Sequence, residues 1–309
     1  MPKKMLPHDP LWPRAGHWLK SAAETPGTAD IGLLGVPAHL TSITPTGAHA
    51  TPGAIREALL RYSTYAPSRD IDLSTLTAID FGDVADPDGA GGEARVRAAV
   101  ARAAERVGLL LALGGDNSIT VPVATALLGG QAAGLQDGGL VTVDAHHDLR
   151  DGETNGSPVR RLIERGLPGA RVVQIGIADF SNSPDYSARA RALGITVVPR
   201  AALRNADLRS VAERAVEIAS ADGGHVFVDL DVDVCDRAVV PGCPSAAPGG
   251  ISADELRQLA FAFGSDPRVR GIDITEVDAT SDSVDGRTVR LAALLVLEAA
   301  AGYATRGVT

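Results

Sequence analysis

Short, nearly continuous apolar runs alternate along this chain with longer segments in which apolar positions recur every three or four residues. The runs fall at residues 30–36, 77–81, 108–113, 140–143, 171–177, 195–198, 225–230 and 269–274. A run without polar alternation marks a strand buried on both faces, as in a parallel sheet. Between them the periodicity predicts helices at 55–61, 93–107, 118–128, 157–165, 208–219, 256–263 and 288–303. Two have start signals: Thr51-Pro52 offers a cap and a first-turn proline, and Ser252-Ala253-Asp254-Glu255 has the capping-box spacing. Alternating strand and helix predicts a three-layer α-β-α fold around a mostly parallel sheet of roughly eight strands. No internal repeat or composition break divides the chain, so residues 1–309 read as one domain. Long Pro- and Gly-rich loops are expected at 36–53, 82–92 and 236–251.

Two acidic runs sit where strands are expected to end. Asp144-Ala145-His146-His147-Asp148 follows residues 140–143, and Asp229-Leu230-Asp231-Val232-Asp233 follows the apolar start of 225–230. Strand side chains alternate with period two, so Asp144, His146 and Asp148 can face one side, as can Asp231 and Asp233. Four carboxylates gathered there repel by roughly 4 kcal/mol per pair at about 4 Å in an effective dielectric near 20. A lone Asp at a strand end is usually a turn former or helix cap. Two such clusters in one α/β chain instead point to a cage for two divalent cations, and its oxygen-rich donors suit Mn2+, Mg2+ or Fe2+ better than structural Zn2+. Mn2+ is the first choice. His147, out of phase, reads as a hydrogen-bonding or packing residue behind the ligands.

Composition narrows the partners. A net charge of −9 and 22% charged residues argue against nucleic acid or an anionic membrane, both of which need a basic face. Lys3 and Lys4 are not followed by a continuous apolar stretch, so no signal peptide is expected, and no run is long enough to span a bilayer. A cytoplasmic protein is the expectation. Cys235 and Cys243 make no metal or redox motif and read as buried free thiols.

From about Gly35 to Tyr303 the chain resembles the ureohydrolase superfamily of arginases and agmatinases. The resemblance rests on five ordered stations: Gly35-Val36-Pro37 leading to Pro52-Gly53-Ala54-Ile55-Arg56; Gly114-Gly115-Asp116-Asn117-Ser118; the run from Asp144 to Asp148; Asp231-Val232-Asp233 with Asp236; and Asp273-Ile274-Thr275-Glu276-Val277-Asp278. It implies an arginase-like fold and a binuclear manganese hydrolase acting on a C=N carbon. By the same resemblance Asp144 and Asp231 bridge the ions, Asp148 completes the first with help from Asn117, and His146 and Asp233 complete the second. Glu276 holds the cationic end of the substrate, and Asp148 orients the attacking water and carries its proton to the leaving amine. Asp229 and Asp236 are expected behind the ligands as hydrogen-bond partners. A trimer or hexamer is implied by analogy.

Departures from the pattern point to a branch. Asn117 stands where arginases and agmatinases have His, so the first ion gains an amide oxygen in place of an imidazole and should bind more weakly. Asp229 stands where Ser is commoner. Arg150 falls where arginases touch the α-carboxylate, and guanidinium pairs with carboxylate bidentately, which favours an anionic substrate. The loop Asn155-Gly156-Ser157-Pro158 resembles the substrate loop, with Asn155 and Ser157 as contacts, but lacks its His. Arg160, Arg161 and Arg165 read as the wet face of one helix. The combination most resembles formimidoylglutamase, which converts N-formimidoyl-L-glutamate to L-glutamate and formamide in histidine degradation. A guanidinoalkanoate hydrolase or another urea-releasing enzyme is the alternative, and a non-catalytic metal-binding relative the second.

Overall fold

The computed structural model describes residues 9–129 and 134–307, so Lys3 and Lys4 lie outside the described residues. Its strands are β1 (Lys20–Ser21), β2 (Ala29–Val36), β3 (Tyr65–Ala66), β4 (Ile71–Asp72), β5 (Ala78–Asp83), β6 (Val107–Gly114), β7 (Gly139–Val143), β8 (Val172–Ile177), β9 (Thr196–Pro199), β10 (Val226–Asp231) and β11 (Val269–Thr275). The helices are α1 (Thr51–Leu59), α2 (Gly89–Ala104), α3 (Thr120–Gly129), α4 (Pro158–Glu164), α5 (Pro184–Ala192), α6 (Leu208–Ala219), α7 (Ala253–Ser265) and α8 (Arg287–Ala304).

Nine strands form one sheet in the order β1-β5-β2-β6-β11-β10-β7-β8-β9, every pair parallel, while β3 and β4 form a small antiparallel pair apart from it. The ninth strand, absent from the sequence reading, is the two-residue edge β1, too short to carry any periodicity. Strand alternation splits the core in two. Leu109, Leu111 and Leu113 of β6 pack with α1, α6, α7 and α8, whereas Leu110 and Ala112 pack with α2, α3, α4 and α5. These are the three expected layers.

Two local expectations change. Ser252 and Glu255 do form the reciprocal capping box of α7, but Thr51 does not cap α1. It is the first residue of that helix, and its hydroxyl donates to the Val277 carbonyl, tying α1 to the loop after β11. Helix α5 has no counterpart in the periodicity, because only Ala190 is buried on its short, polar length; Ser183 caps it before Pro184. Both cysteines are buried and free. Among the described residues, no helix is long and apolar enough to cross a membrane.

Candidate metal centre

Strands β6, β11, β10 and β7 are adjacent, and their carboxyl ends bring the motif residues together. Ligand sites in open α/β sheets lie beyond such ends. Gly114 and Gly115 leave β6, Glu276 follows β11, Asp231 ends β10 and Asp144 follows β7. Gly115 has no room for a side chain, since a Cβ there would lie 1.9 Å from the Ala38 carbonyl oxygen. Asp148 and Glu276 hold left-handed backbone conformations, φ 53° and 62°. Strain of this kind, about 1–3 kcal/mol each, collects at functional sites.

Two compact groupings emerge. Ligand atoms of Asp144, His146 and Asp233 lie within 4.8 Å of one another, and so do those of Asp144, Asp148 and Asp229. Asp144 belongs to both. His146 Nδ1 lies 2.8 Å from Asp233 Oδ2 and 3.5 Å from Asp144 Oδ1. Asp231 lines the same cleft and accepts the Asp233 amide through Oδ1 at 2.8 Å, but it joins neither grouping.

The electrostatics are those of an uncompensated acidic cage. Burial, with the Asp233 charge, pushes Asp144 up to about 6. Burial, together with Asp144, raises Asp148, and burial with Asp233 raises Asp231. Burial pulls His146 down, but Asp233 and Asp144 outweigh it and push the imidazole up to about 12. Among the described residues, the buried Oδ2 atoms of Asp144 and Asp229 and Oδ1 of Asp273 meet no hydrogen-bond donor, and the Asp229 and Asp273 carboxyls face each other. Orphaned acceptors, carboxyls driven towards protonation and a donor set of oxygens with one imidazole fit divalent ions such as Mn2+.

Several residues depart from expectation. Asn117 lies against Asp148, its Nδ2 2.6 Å from Asp148 Oδ2, and accepts from the Thr120 hydroxyl through Oδ1 at 2.8 Å. Asp229 offers an oxygen within 4.8 Å of oxygens of Asp144 and Asp148. Asp236 is a loop clasp instead, accepting from Ala238 and Gly249 amides. Ser157 is buried and spends its hydroxyl on Thr154; it does not line the cleft. Arg161 is buried against Glu93 of α2 at 2.5 Å and so leaves the expected solvated face, Arg160 is half-buried, pairs with Glu164 and holds the Arg150 carbonyl, and Arg165 stays exposed with a 3.4 Å approach to Glu93.

Other expected residues gather at one cleft. A cleft of about 140 Å³ is lined by His146, Asp148, Arg150, Asn155, Asp231, Asp233 and Glu276. Glu276 Oε1 accepts from the Asn117 amide at 2.8 Å and from Asn155 Nδ2 at 2.9 Å, and among the described residues Oε2 has no partner. Burial, with Asp116, pushes Glu276 up to about 8. Asn155 also accepts from the Ile43 amide, so it positions Glu276 as much as it faces the cleft. Arg150 is exposed at the rim, its stem lying over Gly156, and no carboxylate pairs with its guanidinium among the described residues. His147 packs behind, between Gln174 at 2.7 Å and Ser187 at 3.3 Å, and burial lowers its pKa.

The sequence reading missed Asn182, which clasps the Ala145 carbonyl and the His147 amide, and the cleft residues Tyr186 and Ser245. It also missed a buried polar set of Thr120, Thr142, Gln174 and Asp273. The signal for Asp273 was available: an acid in the middle of the apolar run Gly271-Ile272-Asp273-Ile274 needs a partner.

Fold and site together define a class: a three-layer α/β protein with a carboxylate-rich metal centre at the carboxyl edge of its sheet. The chain belongs to the arginase family, whose pattern matches residues 29–302. It is 38% identical over 275 residues to formimidoylglutamase of Halalkalibacterium halodurans, covering 86% of this chain and 85% of that relative. Among solved structures, formimidoylglutamase of Bacillus subtilis superposes with a TM-score of 0.90 at 28% identity, covering 99% of this chain and 96% of that one. Formiminoglutamase of Trypanosoma cruzi with Mn2+ does so with 0.82 at 25% identity, over 90% and 94% of the two chains.

Proposed function

We propose that the protein hydrolyses N-formimidoyl-L-glutamate to L-glutamate and formamide with two Mn2+ ions in the cage. The observation that carries this reading is the polarity of the cleft, with an unpaired guanidinium at the rim, Arg150, and a carboxylate, Glu276, at the buried end. A substrate with carboxylates at one end and a cationic amidine at the other fits that polarity, because charge-assisted pairs form at both ends. The names of the similar proteins support it.

When bound, the ions supply Lewis acidity, compensating the carboxylates and lowering the pKa of water towards about 7. The chain's own residues supply the rest. Asp148, held by Asn117, is placed to accept the proton of the attacking water and return it to the leaving amine. Asn117 and Asn155 keep Glu276 Oε1 occupied and leave Oε2 for the amidinium. Arg150 binds carboxylate, setting the distance from the substrate's acidic end to its reacting carbon. A cytoplasmic homo-oligomer, trimeric or hexameric, completes the proposal; two free thiols support a reducing compartment.

The test is a parallel assay of formimidoylglutamate, guanidinobutyrate, agmatine and arginine with Mn2+. Formamide and glutamate from the first, well above urea from the others, is the expected outcome. Faster urea release from guanidinobutyrate, whose carboxylate Arg150 would also bind, moves the protein to the guanidinoalkanoate branch. No turnover of any of the four leaves a metal-binding relative.

A further inference from the structure

Residues 144–148 lie in the loop after β7, so no strand period directs their side chains, and something else must turn Asp144, His146 and Asp148 into the cage. Much of what holds that loop comes from β8 and the segment that follows it. The Asp144 amide donates to the Ile175 carbonyl at 2.9 Å, and the Ala145 carbonyl accepts from the Ala178 amide at 3.0 Å. Asn182 reaches back from the same segment. Its Nδ2 donates to the Ala145 carbonyl at 2.9 Å, and its Oδ1 accepts from the His147 amide at 2.9 Å.

Gln174 completes the hold from the other side. It is fully buried in the middle of the apolar strand β8, where an unpaired amide is costly. Both ends of its side chain are spent on one residue: Nε2 donates to the His147 carbonyl at 2.9 Å, and Oε1 lies 2.7 Å from His147 Nδ1. A carbonyl can only accept, so Oε1 is left facing the ring and His147 donates from Nδ1. His147 is itself buried, with Nε2 3.3 Å from the Ser187 hydroxyl of α5. Its amide, carbonyl and ring are thus all occupied, and each by a neutral partner. The residues on either side, His146 and Asp148, each belong to one of the two metal groupings. Asp148 also carries a left-handed backbone, φ 53°, which persists only where the surroundings fix it.

We propose that Gln174 and Asn182 are positioning residues of the metal centre that act through His147. By pegging His147 behind the loop they fix the directions of His146 and Asp148, and so set both metal groupings at once. Amides do this without charge, which leaves the balance between carboxylates and cations unaltered. An apolar residue at position 174 would leave the His147 carbonyl unpaired in the core. Gln174 lies outside the cleft, so its effect cannot come from touching a substrate. The inference rests on the metal-holding part of the proposed function and is independent of the substrate.

The experiment strips the full-length protein with chelator and measures Mn2+ binding by calorimetry, beside the melting temperature of the metal-free chain. Gln174→Leu and the isosteric Gln174→Glu, which loses the donor to the His147 carbonyl, should each bind Mn2+ about 10- to 100-fold more weakly, the usual loss for groups that orient metal ligands. His147→Leu should do the same. His147→Asn, whose amide nitrogen can stand where Nδ1 stood, should recover most of the affinity. Because one residue acts through the other, Gln174→Leu combined with His147→Leu should cost no more than the larger single loss. Wild-type Mn2+ affinity in the Gln174 variants, whatever their melting temperature, would overturn the proposal and leave Gln174 a packing residue. Additive losses in the double variant would overturn the route through His147.

Wild type gives a reading that no folding defect can blur. In crystals of the Mn2+-loaded protein Gln174 Nε2 should stay within about 3.2 Å of the His147 carbonyl, and a carboxamide turned elsewhere would refute the peg. A wild type that binds Mn2+ tightly, with weak binding in Gln174→Leu and no turnover of formimidoylglutamate, refutes the substrate and supports the positioning role. A wild type that takes up no Mn2+ overturns both.

Discussion

Asp148 concentrates three demands at one position. It has a left-handed backbone, it is buried, and it is held by Asn117 within reach of the cage. Asp148→Asn keeps the shape and removes the proton acceptor, so kcat should fall about 10²- to 10⁴-fold, the usual worth of general acid–base catalysis; single-turnover kinetics on Mn2+-loaded protein would measure it. Arg150 makes the opposite kind of contribution. It binds a part of the substrate remote from the reacting carbon, so Arg150→Ala should raise KM and lower kcat/KM roughly 10- to 100-fold, the equivalent of about 1.5–3 kcal/mol for hydrogen bonds to a charged group. A fall in kcat with KM unchanged would refute that assignment. At this scale Asp144, His146, Asp148, Asp231 and Asp233 were legible as acids and a His clustered at two strand ends, although only Asp231 lies in a strand, with Asp233 in a short 3-10 turn and Asp144 to Asp148 in the loop after β7. Asp236 and Ser157 were not, because a loop residue has no period to fix its direction.

Among elements, the connection between α4 and α2 holds the loop that carries Arg150 and Asn155. Arg161 is 5% exposed and shares the Glu93 carboxylate with Arg165. Removing one partner of a buried pair leaves the other uncompensated. Glu93→Ala should therefore destabilise the protein by about 3 kcal/mol, read as a lower melting temperature, while Arg209→Ala, whose Glu213 pair is exposed, should change it little. Equal effects of the two would refute the distinction. Arg161 is expected in water because the periodicity of about two turns cannot say which polar residue on α4 will meet another helix. It missed α5 for the reverse reason, since a helix that buries so little apolar surface leaves no stripe.

For the molecule as a whole, the cage links stability to pH. Burial raises Asp144 to about 6, Asp273 to about 7 and Glu276 to about 8 in the metal-free chain. An acid whose pKa rises on folding favours the folded state through its bound proton. That contribution is complete below the unfolded value near 4 and is lost as pH climbs through the folded value. Metal-free protein should accordingly melt at falling temperatures as pH rises from about 4 to about 8. Added Mn2+ should restore stability most at the upper end, since cations replace the protons, and the gain should grow with its concentration. Differential scanning fluorimetry across that range would test both; a Mn2+ effect largest at the acidic end would contradict the linkage.

The chain by itself determined the alternation of elements, the three layers, and which acids and which His cluster at strand ends, because strand and helix periods are local properties of neighbouring residues. It also determined the family resemblance, through motifs that are contiguous in sequence. Only tertiary structure decided that Asp229 stands beside Asp144 and Asp148, that Asn117 lies against Asp148, and that Arg161 is buried. Those outcomes depend on register between strands distant in sequence and on which polar atoms remain unpaired after packing, quantities that exist only once the sheet is assembled.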